Sequence, residues 1–326
     1  MAPKSLAELY DEHQGKVSDK WSIYLNEYDR LFGELRYSPV SLLEIGIQNG
    51  GSLEIWAQYF PSATKIVGCD INPDCGLLQY DDPRIAVVIG DVNTDTTQAD
   101  IVQQAQVFHV IIDDGSHLSS DIIKSFARYF PYLEAGGLFV VEDLHCSYWQ
   151  EYEGGLFDPF SSIAFFKRLA DIVSYEHWGL QKQCTDTLEG FFSRYAFQMQ
   201  AETLLQVHSV EFLNSLCIIR KARPEANRLG TRIIAGSEEK VISGHLVLQG
   251  GKASPAQSLD QTGTLWAVYS RPLDEEFLLQ RQEIAEREAQ IGNLTQSLVA
   301  YKGHIAELTH TLQKREVRIA DLTHTL

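Results

Sequence analysis

Two short runs in this chain bring carboxylates and imidazoles together at the ends of apolar segments. The first is VIIDDGSH, which supplies Asp113, Asp114, Ser116 and His117. The second is VVEDLHCSYW, which supplies Glu142, Asp143 and His145. Each apolar run reads as a buried strand, so its polar residues fall at the carboxyl end. In a doubly wound sheet, carboxyl ends of adjacent strands face one crevice. Four carboxylates and two imidazoles in one crevice repel each other unless a cation or a proton shares the charge. A hard divalent ion held by oxygen atoms meets that need, and magnesium requires only a few carboxylates because it keeps several waters. Asp114 and Asp143 are the first candidate metal ligands, followed by Glu142. His117, three residues beyond Asp114, is placed to take a proton from an acceptor hydroxyl. An alcohol is a poor nucleophile until it loses that proton, and a histidine near neutral pKa suits the task. His145 is the rival base, or a hydrogen-bonding group for the acceptor.

A second constellation lies upstream. LLEIGIQNGGSLEIW begins as a buried strand and continues as a helix, with Glu44, Gly46, Gly50, Gly51 and Ser52 around the turn. Glycines here let a ligand approach the backbone. The next strand ends in GCDINPD, and Asp70, 24 positions after Gly46, suits the two hydroxyls of a ribose. A third strand leads into GDVNTD, where Asp91 is placed to meet an adenine amino group. Asp113 completes the expected cofactor-binding set of Glu44, Gly46, Gly50, Ser52, Asp70, Asp91 and Asp113. The GxGxxG fingerprint of dinucleotide binding is absent from the turn. S-adenosylmethionine carries no phosphate, and its ammonium group tolerates Glu44. In-line attack on its sulfonium methyl requires mostly positioning.

These groups need a scaffold to hold them. Strand-like runs at Ser41–Ile47, Lys65–Asp70, Ile85–Ile89, Val107–Asp113 and Gly137–Glu142 alternate with helical patterns, notably Leu53–Phe60 and Ser119–Tyr132. That rhythm predicts an α/β fold with a doubly wound, mostly parallel sheet. Ser209–Lys221 reads as two strands around an Asn214–Ser215 turn, an antiparallel hairpin closing the sheet. Phe160–Leu169 reads as a helix, and the stretch 174–207 as an insertion near the acceptor site. The expected division is a catalytic domain over 1–222, a small β-rich appendage or linker over 223–271, and a coiled coil over 272–326.

The last region differs in kind. Phe277, Ile284, Ile291, Leu298, Ile305, Leu312, Ile319 and Leu326 stand seven apart, with Leu294, Tyr301, Leu308 and Leu322 at the +3 position. A strict seven-residue apolar repeat keeps one seam of a helix facing a partner helix. This predicts a homo-oligomer, with Gln280, Arg287 and Arg315 interrupting the +3 row. The row does not choose between two and three strands. The repeat stops uncapped at Leu326, which predicts that the natural protein continues.

Bulk properties narrow the partners. The 326 residues carry a formal net charge of -17, with 44% hydrophobic and 22% charged residues. That charge disfavours nucleic acid and anionic membrane surfaces. Neutral or cationic partners, or anions held through a metal, fit better. The five cysteines form no CxxC pair, which argues for a reducing, cytoplasmic setting. No run is long and apolar enough for a transmembrane segment, and the first residues lack the apolar core of a signal peptide.

Taken together, LLEIGIQNGGSLEIW, GCDINPD, VIIDDGSH and VVEDLHCSYW resemble the metal-dependent class I O-methyltransferases that tailor sugars in mycinamicin and tylosin, and their cephalosporin-hydroxylase-like relatives. The resemblance covers roughly residues 15–222. It implies methyl transfer from S-adenosylmethionine to a sugar hydroxyl, a magnesium ion on Asp114 and Asp143, and His117 as catalytic histidine. It also implies tyrosines near the active site on an N-terminal helix, where SDKWSIYLNEYDRLF offers Tyr24 and Tyr28; core packing is the other role open to them. The coiled coil departs from the antibiotic-tailoring pattern. It looks more like methyltransferases of surface-polysaccharide assembly, where a coil connects to a fused or associated glycosyltransferase. The acceptor is therefore a glycan or a glycosylated natural product. Two other functions remain open: a metal-dependent hydroxylase or hydrolase on the same fold, and a non-catalytic head for a coiled-coil scaffold.

Overall fold

The computed structural model describes residues 3–252, 263–264 and 270–324, with side chains described over 280–319 in the last stretch. It divides into two units, Met1–Ala267 and Val268–Leu326.

The first unit is built on a seven-stranded sheet. Its strands are β1 (Ser41–Ile45), β2 (Lys65–Asp70), β3 (Ile85–Ile89), β4 (Phe108–Asp113), β5 (Leu133–Val141), β6 (Val207–Leu213) and β7 (Leu216–Lys221). They lie in the order β3-β2-β1-β4-β5-β7-β6. The first five are parallel, and β7 runs antiparallel to both β5 and β6. Strands β1 and β4 are buried along nearly their whole length, as expected of a parallel sheet covered on both faces. Covering helices include α1 (Leu6–Asp11), α2 (Ser22–Phe32), α3 (Gly51–Tyr59), α4 (Asp95–Gln104), α5 (Ser119–Tyr129) and α6 (Ser162–Val173). This is the class I methyltransferase fold, closed by the hairpin expected from the sequence.

Three boundaries shift for local reasons. Strand β1 stops at Ile45 because Gly46 takes a left-handed φ of 84°; the expected strand ran to Ile47. An added Cβ on Gly46 would lie 2.1 Å from the Asp114 carbonyl oxygen, so glycine lets the β1 and β4 turns touch. Helix α6 starts at Ser162 rather than Phe160, since the Ser161 hydroxyl accepts the Ala164 amide as N-cap. Strand β5 begins at Leu133, pairing with Phe108 before a register shift at Val110.

Of the two forms expected for 223–271, a small β-rich appendage or a linker, the described residues after β7 show no β-sheet. Between Ala222 and Lys252 there is one isolated bridge, Thr231 with Lys252, and no strand. Several of its apolar residues, Ile233 and Val241 among them, are exposed. Residues 253–262 of that expected appendage lie outside the described residues.

The second unit is one helix, α9, spanning Ser270–His324 (α7 is Glu189–Tyr195 and α8 is Ala201–Leu204). Along it Ile284, Ile291, Leu298, Ile305, Leu312 and Ile319 are all exposed, as are Leu294, Tyr301 and Leu308. The side chains of Phe277 and Leu322, and the whole of Leu326, lie outside the described residues. No helix among the described residues is long and apolar enough to cross a membrane.

Candidate active site

The carboxyl ends of β1 to β5 converge on one crevice. Strand β4 ends at Asp113, followed by Asp114; β5 ends at Val141, followed by Glu142 and Asp143. The register that sets Asp113 beside Val141 also lets the Glu142 amide donate to the Asp113 carbonyl at 2.9 Å. Asp143 then takes a left-handed φ of 50°, and His117 a left-handed φ of 59°. Both turns fold their side chains into the same volume. One ligand atom from each of Asp114, His117 and Asp143 lies within 4.8 Å of the others. His117 Nε2 is 4.0 Å from Asp114 Oδ1 and 3.8 Å from Asp143 Oδ2. Two carboxylates and an imidazole at this spacing are a donor set that fits a hard divalent cation.

Glu142 is not part of that group. It is buried, its Oε1 2.5 Å from the Tyr28 hydroxyl, which donates, and 2.7 Å from Lys20 Nζ. The same ammonium lies 2.5 Å from Asp114 Oδ2 and 3.4 Å from Glu44 Oε1. Lys20 therefore supplies within the chain part of the counter-charge that the crowded carboxylates demand. Burial opposes its charge, but Glu142, Glu44 and Asp114 outweigh burial and hold its pKa well above the ordinary lysine value. Burial in turn raises the carboxyls of Glu142 and Glu44, with Lys20 pulling both down. Nothing in the type or spacing of residue 20 singled it out. The available signal is charge balance, which Lys20 shares with any bound cation.

The N-terminal tyrosines have both the roles left open for them. Their rings are buried in the core, while their hydroxyls reach the site. Tyr24 donates to Asp143 Oδ1 at 2.8 Å and lies 2.7 Å from Ser215 Oγ. Trp21 Nε1 donates to the same Asp143 oxygen at 2.9 Å. Ser215 sits in the β6–β7 turn with φ 71°, and its carbonyl accepts the Leu144 amide at 2.9 Å. Its hydroxyl also meets His145 Nδ1, so the hairpin turn orients the second histidine. His145 packs edge-on against Trp21 and Trp149, and Tyr152 lies beside both Trp149 and His117. These rings form one aromatic cluster reaching from Trp21 to His117.

A cavity of about 230 Å³ adjoins the group, lined by Gly46, Asp70, Asp91, Asn93, Asp113 and Asp114 among others. Asp70 Oδ2 accepts the Ile47 and Gln48 amides at 3.0 and 2.9 Å, which ties the glycine turn to the tip of β2. Burial pushes the Asp113 carboxyl up to about 7, against donation from the Ser125 hydroxyl and the Gly115 amide. Glu44, Gly50 and Ser52 of the expected set are not among the lining residues. Glu44 is buried behind the turn, accepting from Ser52 Oγ at 2.5 Å. Gly50 faces the other way, its carbonyl accepting the Tyr80 hydroxyl at 3.0 Å.

Fold and site together define a class I methyltransferase framework with an acidic, histidine-bearing centre beside a cavity at the carboxyl ends of the strands. In sequence and structure the chain is similar to sugar O-methyltransferases. It is 34% identical over 187 residues to 8-demethyl-8-alpha-L-rhamnosyl tetracenomycin-C 2'-O-methyltransferase of Streptomyces olivaceus, covering 53% of this chain and 48% of that one. It is 35% identical over 160 residues to mycinamicin VI 2''-O-methyltransferase of Micromonospora griseorubida, covering 46% and 39%. Among solved structures it resembles the MycE methyltransferase of mycinamycin biosynthesis in complex with Mg, SAH and mycinamycin VI. That match has a TM-score of 0.56 and 26% identity, over 69% of this chain and 55% of that one. The chain spans about half the length, or less, of the curated relatives it matches. No protein-family model matches it.

Proposed function

We propose that the chain is an S-adenosylmethionine-dependent O-methyltransferase acting on a hydroxyl of a sugar-bearing acceptor. The observation that carries this reading is the position of Asp114. It lines the donor cavity and also belongs to the Asp114–His117–Asp143 group, so donor and acceptor chemistry share a boundary. Similarity to enzymes that methylate rhamnose and mycinamicin sugars supports the sugar acceptor.

Asp114 and Asp143 would hold a divalent cation, magnesium first. Bound there, such an ion supplies Lewis acidity that lowers the pKa of an acceptor hydroxyl, while S-adenosylmethionine supplies the electrophilic methyl. The chain's own groups do the rest. His117 Nε2 takes the acceptor proton. Asp70 and Asp91 face the donor ribose and adenine from the cavity wall. Trp21, Trp149 and Tyr152 cover the reacting centre and exclude water from it. His145, fixed by Ser215, hydrogen-bonds the acceptor.

The exposed heptad seam of α9 supports self-association through a coiled coil. A coil attached to a methyltransferase fits work on a glycan, in concert with a glycosyltransferase, as well as on a glycosylated natural product.

Calorimetry with S-adenosylhomocysteine, followed by transfer of labelled methyl groups to rhamnosylated acceptors with and without magnesium, tests the reading. Saturable cofactor binding and metal-dependent labelling are expected. A folded protein with no affinity for the cofactor would exclude it.

A further inference from the structure

Each aspartate of the Asp114–His117–Asp143 group is gripped by only one of its two oxygens, and both grips come from one short stretch of chain. Lys20 Nζ lies 2.5 Å from Asp114 Oδ2. Trp21 Nε1 and the Tyr24 hydroxyl donate to Asp143 Oδ1 at 2.9 and 2.8 Å. The opposite oxygens, Asp114 Oδ1 and Asp143 Oδ2, are the ones nearest His117 Nε2. The stretch is itself tied down. Lys20 is held by Glu142 and Glu44, and Tyr24 by Ser215. Just upstream, the Val17 carbonyl accepts the Gly51 amide at 3.1 Å, and Lys16 Nζ lies 2.6 Å from Glu54 Oε1.

We propose that Lys20, Trp21 and Tyr24 are positioning residues that confine Asp114 and Asp143 to one-oxygen donation, and that this makes the site select a small octahedral dication over calcium. The inference rests on the metal reading above. Its physical basis is coordination number. Calcium takes six to eight oxygens and readily accepts both oxygens of a carboxylate, whereas magnesium demands near-octahedral geometry. Manganese is at home in the same octahedral oxygen sites. A carboxylate whose outer oxygen already accepts from an ammonium, or from an indole N–H and a phenol, has fewer lone pairs left there and is held against turning to offer both oxygens. Partners that orient metal ligands in this way commonly change metal affinity by about 10–100-fold. Lys20, Trp21 and Tyr24 act through the aspartates rather than on any reacting atom.

The experiment measures manganese affinity of the full chain by paramagnetic resonance, with S-adenosylhomocysteine present, and calcium affinity by competition. The quantity of interest is the ratio Kd(Ca)/Kd(Mn). Both ions carry the same charge, so a variant's change in net charge largely cancels in the ratio. For Trp21→Phe combined with Tyr24→Phe, and separately for Lys20→Met, the ratio should fall about tenfold or more. Trp21 is 60% exposed, so Trp21→Phe alone should leave Tm unchanged. Because Tyr24 holds the same Asp143 oxygen, the Trp21→Phe, Tyr24→Phe pair decides the matter if Lys20→Met does not fold. An unchanged ratio in the folded variants overturns the proposal and leaves the metal reading standing. A wild-type chain that binds no manganese overturns both.

Discussion

The Lys20 ammonium lies 2.7 Å from the Glu142 carboxylate, with the two side chains only 3% and 2% exposed. It also holds Asp114 and approaches Glu44. Removing one member of such a buried set leaves uncompensated charge, which typically costs about 3–5 kcal/mol. Lys20→Met should therefore lower the unfolding free energy by that order, read as a lower urea midpoint at unchanged m. Lys20→Met with Glu142→Gln should lose less than the sum of the single changes. Full additivity would show that the two groups do not stabilise one another.

Gly46 offers a second test, because the place a Cβ would take faces backbone rather than a flexible side chain. Gly46→Ala forces a left-handed residue, at about 1–3 kcal/mol, and drives Cβ toward the Asp114 carbonyl. It should weaken S-adenosylhomocysteine binding and lower stability together. At Gly50 the nearest obstacle is the movable Tyr80 hydroxyl, so Gly50→Ala should be milder in calorimetry and in melting. The reverse ranking would count against the placement of the donor cavity.

His117→Ala should reduce turnover by about 10²–10⁴-fold, the usual contribution of a positioned base, with cofactor affinity kept. His145→Ala should cost less, since its Nδ1 is engaged by Ser215. Single-turnover kinetics on both variants separate the roles. If His145→Ala were the more damaging, His145 would be the base.

All five cysteines are free and buried. Burial pushes Cys69 up to about 12 and Cys217 well above its ordinary value, and raises Cys75, Cys146 and Cys184 as well. Above about pH 9 the unfolded chain releases thiol protons that the folded chain keeps. The folded state then binds more protons, and stability falls as pH rises. Burial pushes the Lys221 ammonium down to about 8, which acts the other way up to its ordinary range, one group against five. A lower urea midpoint at pH 10 than at pH 8 is expected. Ellman's reagent should titrate five thiols only after unfolding, and rapid reaction of the native protein at pH 8 would contradict the burial.

The α9 seam can be tested by sedimentation. The full chain should run as an oligomer and a chain ending at Ala267 as a monomer, with methyl transfer retained per subunit. A monomeric full chain would remove the basis for a coiled coil.

Periodicity made the parallel strands readable, because each had to be apolar along its length. Strands β2 and β3 fall on the expected residues, and the Asn214–Ser215 turn lies where the hairpin places it. Asp114, His117 and Asp143 were legible because their motifs stand at the ends of neighbouring strands. Lys20 and Ser215 were not, since each reaches the site through tertiary packing from distant sequence. Glu44 illustrates the opposite limit: the glycine turn was recognised, but which face of it the carboxylate takes depends on Lys20 behind it. The stretch after β7 had strand-like composition without a sheet edge to join.

Strand β7 is the last strand of the sheet to be synthesised, yet it lies inside the sheet, between β5 and β6. The cavity beside Asp114 is lined by residues that have all been synthesised by Ser125. His145 must wait for Ser215, some seventy residues later. The nascent chain can thus complete the lining of this cavity while the side that holds His145 stays open along the edge of β5. Only when Lys221 has emerged does that edge find its neighbour, so the two halves of the crevice mature in a fixed temporal order.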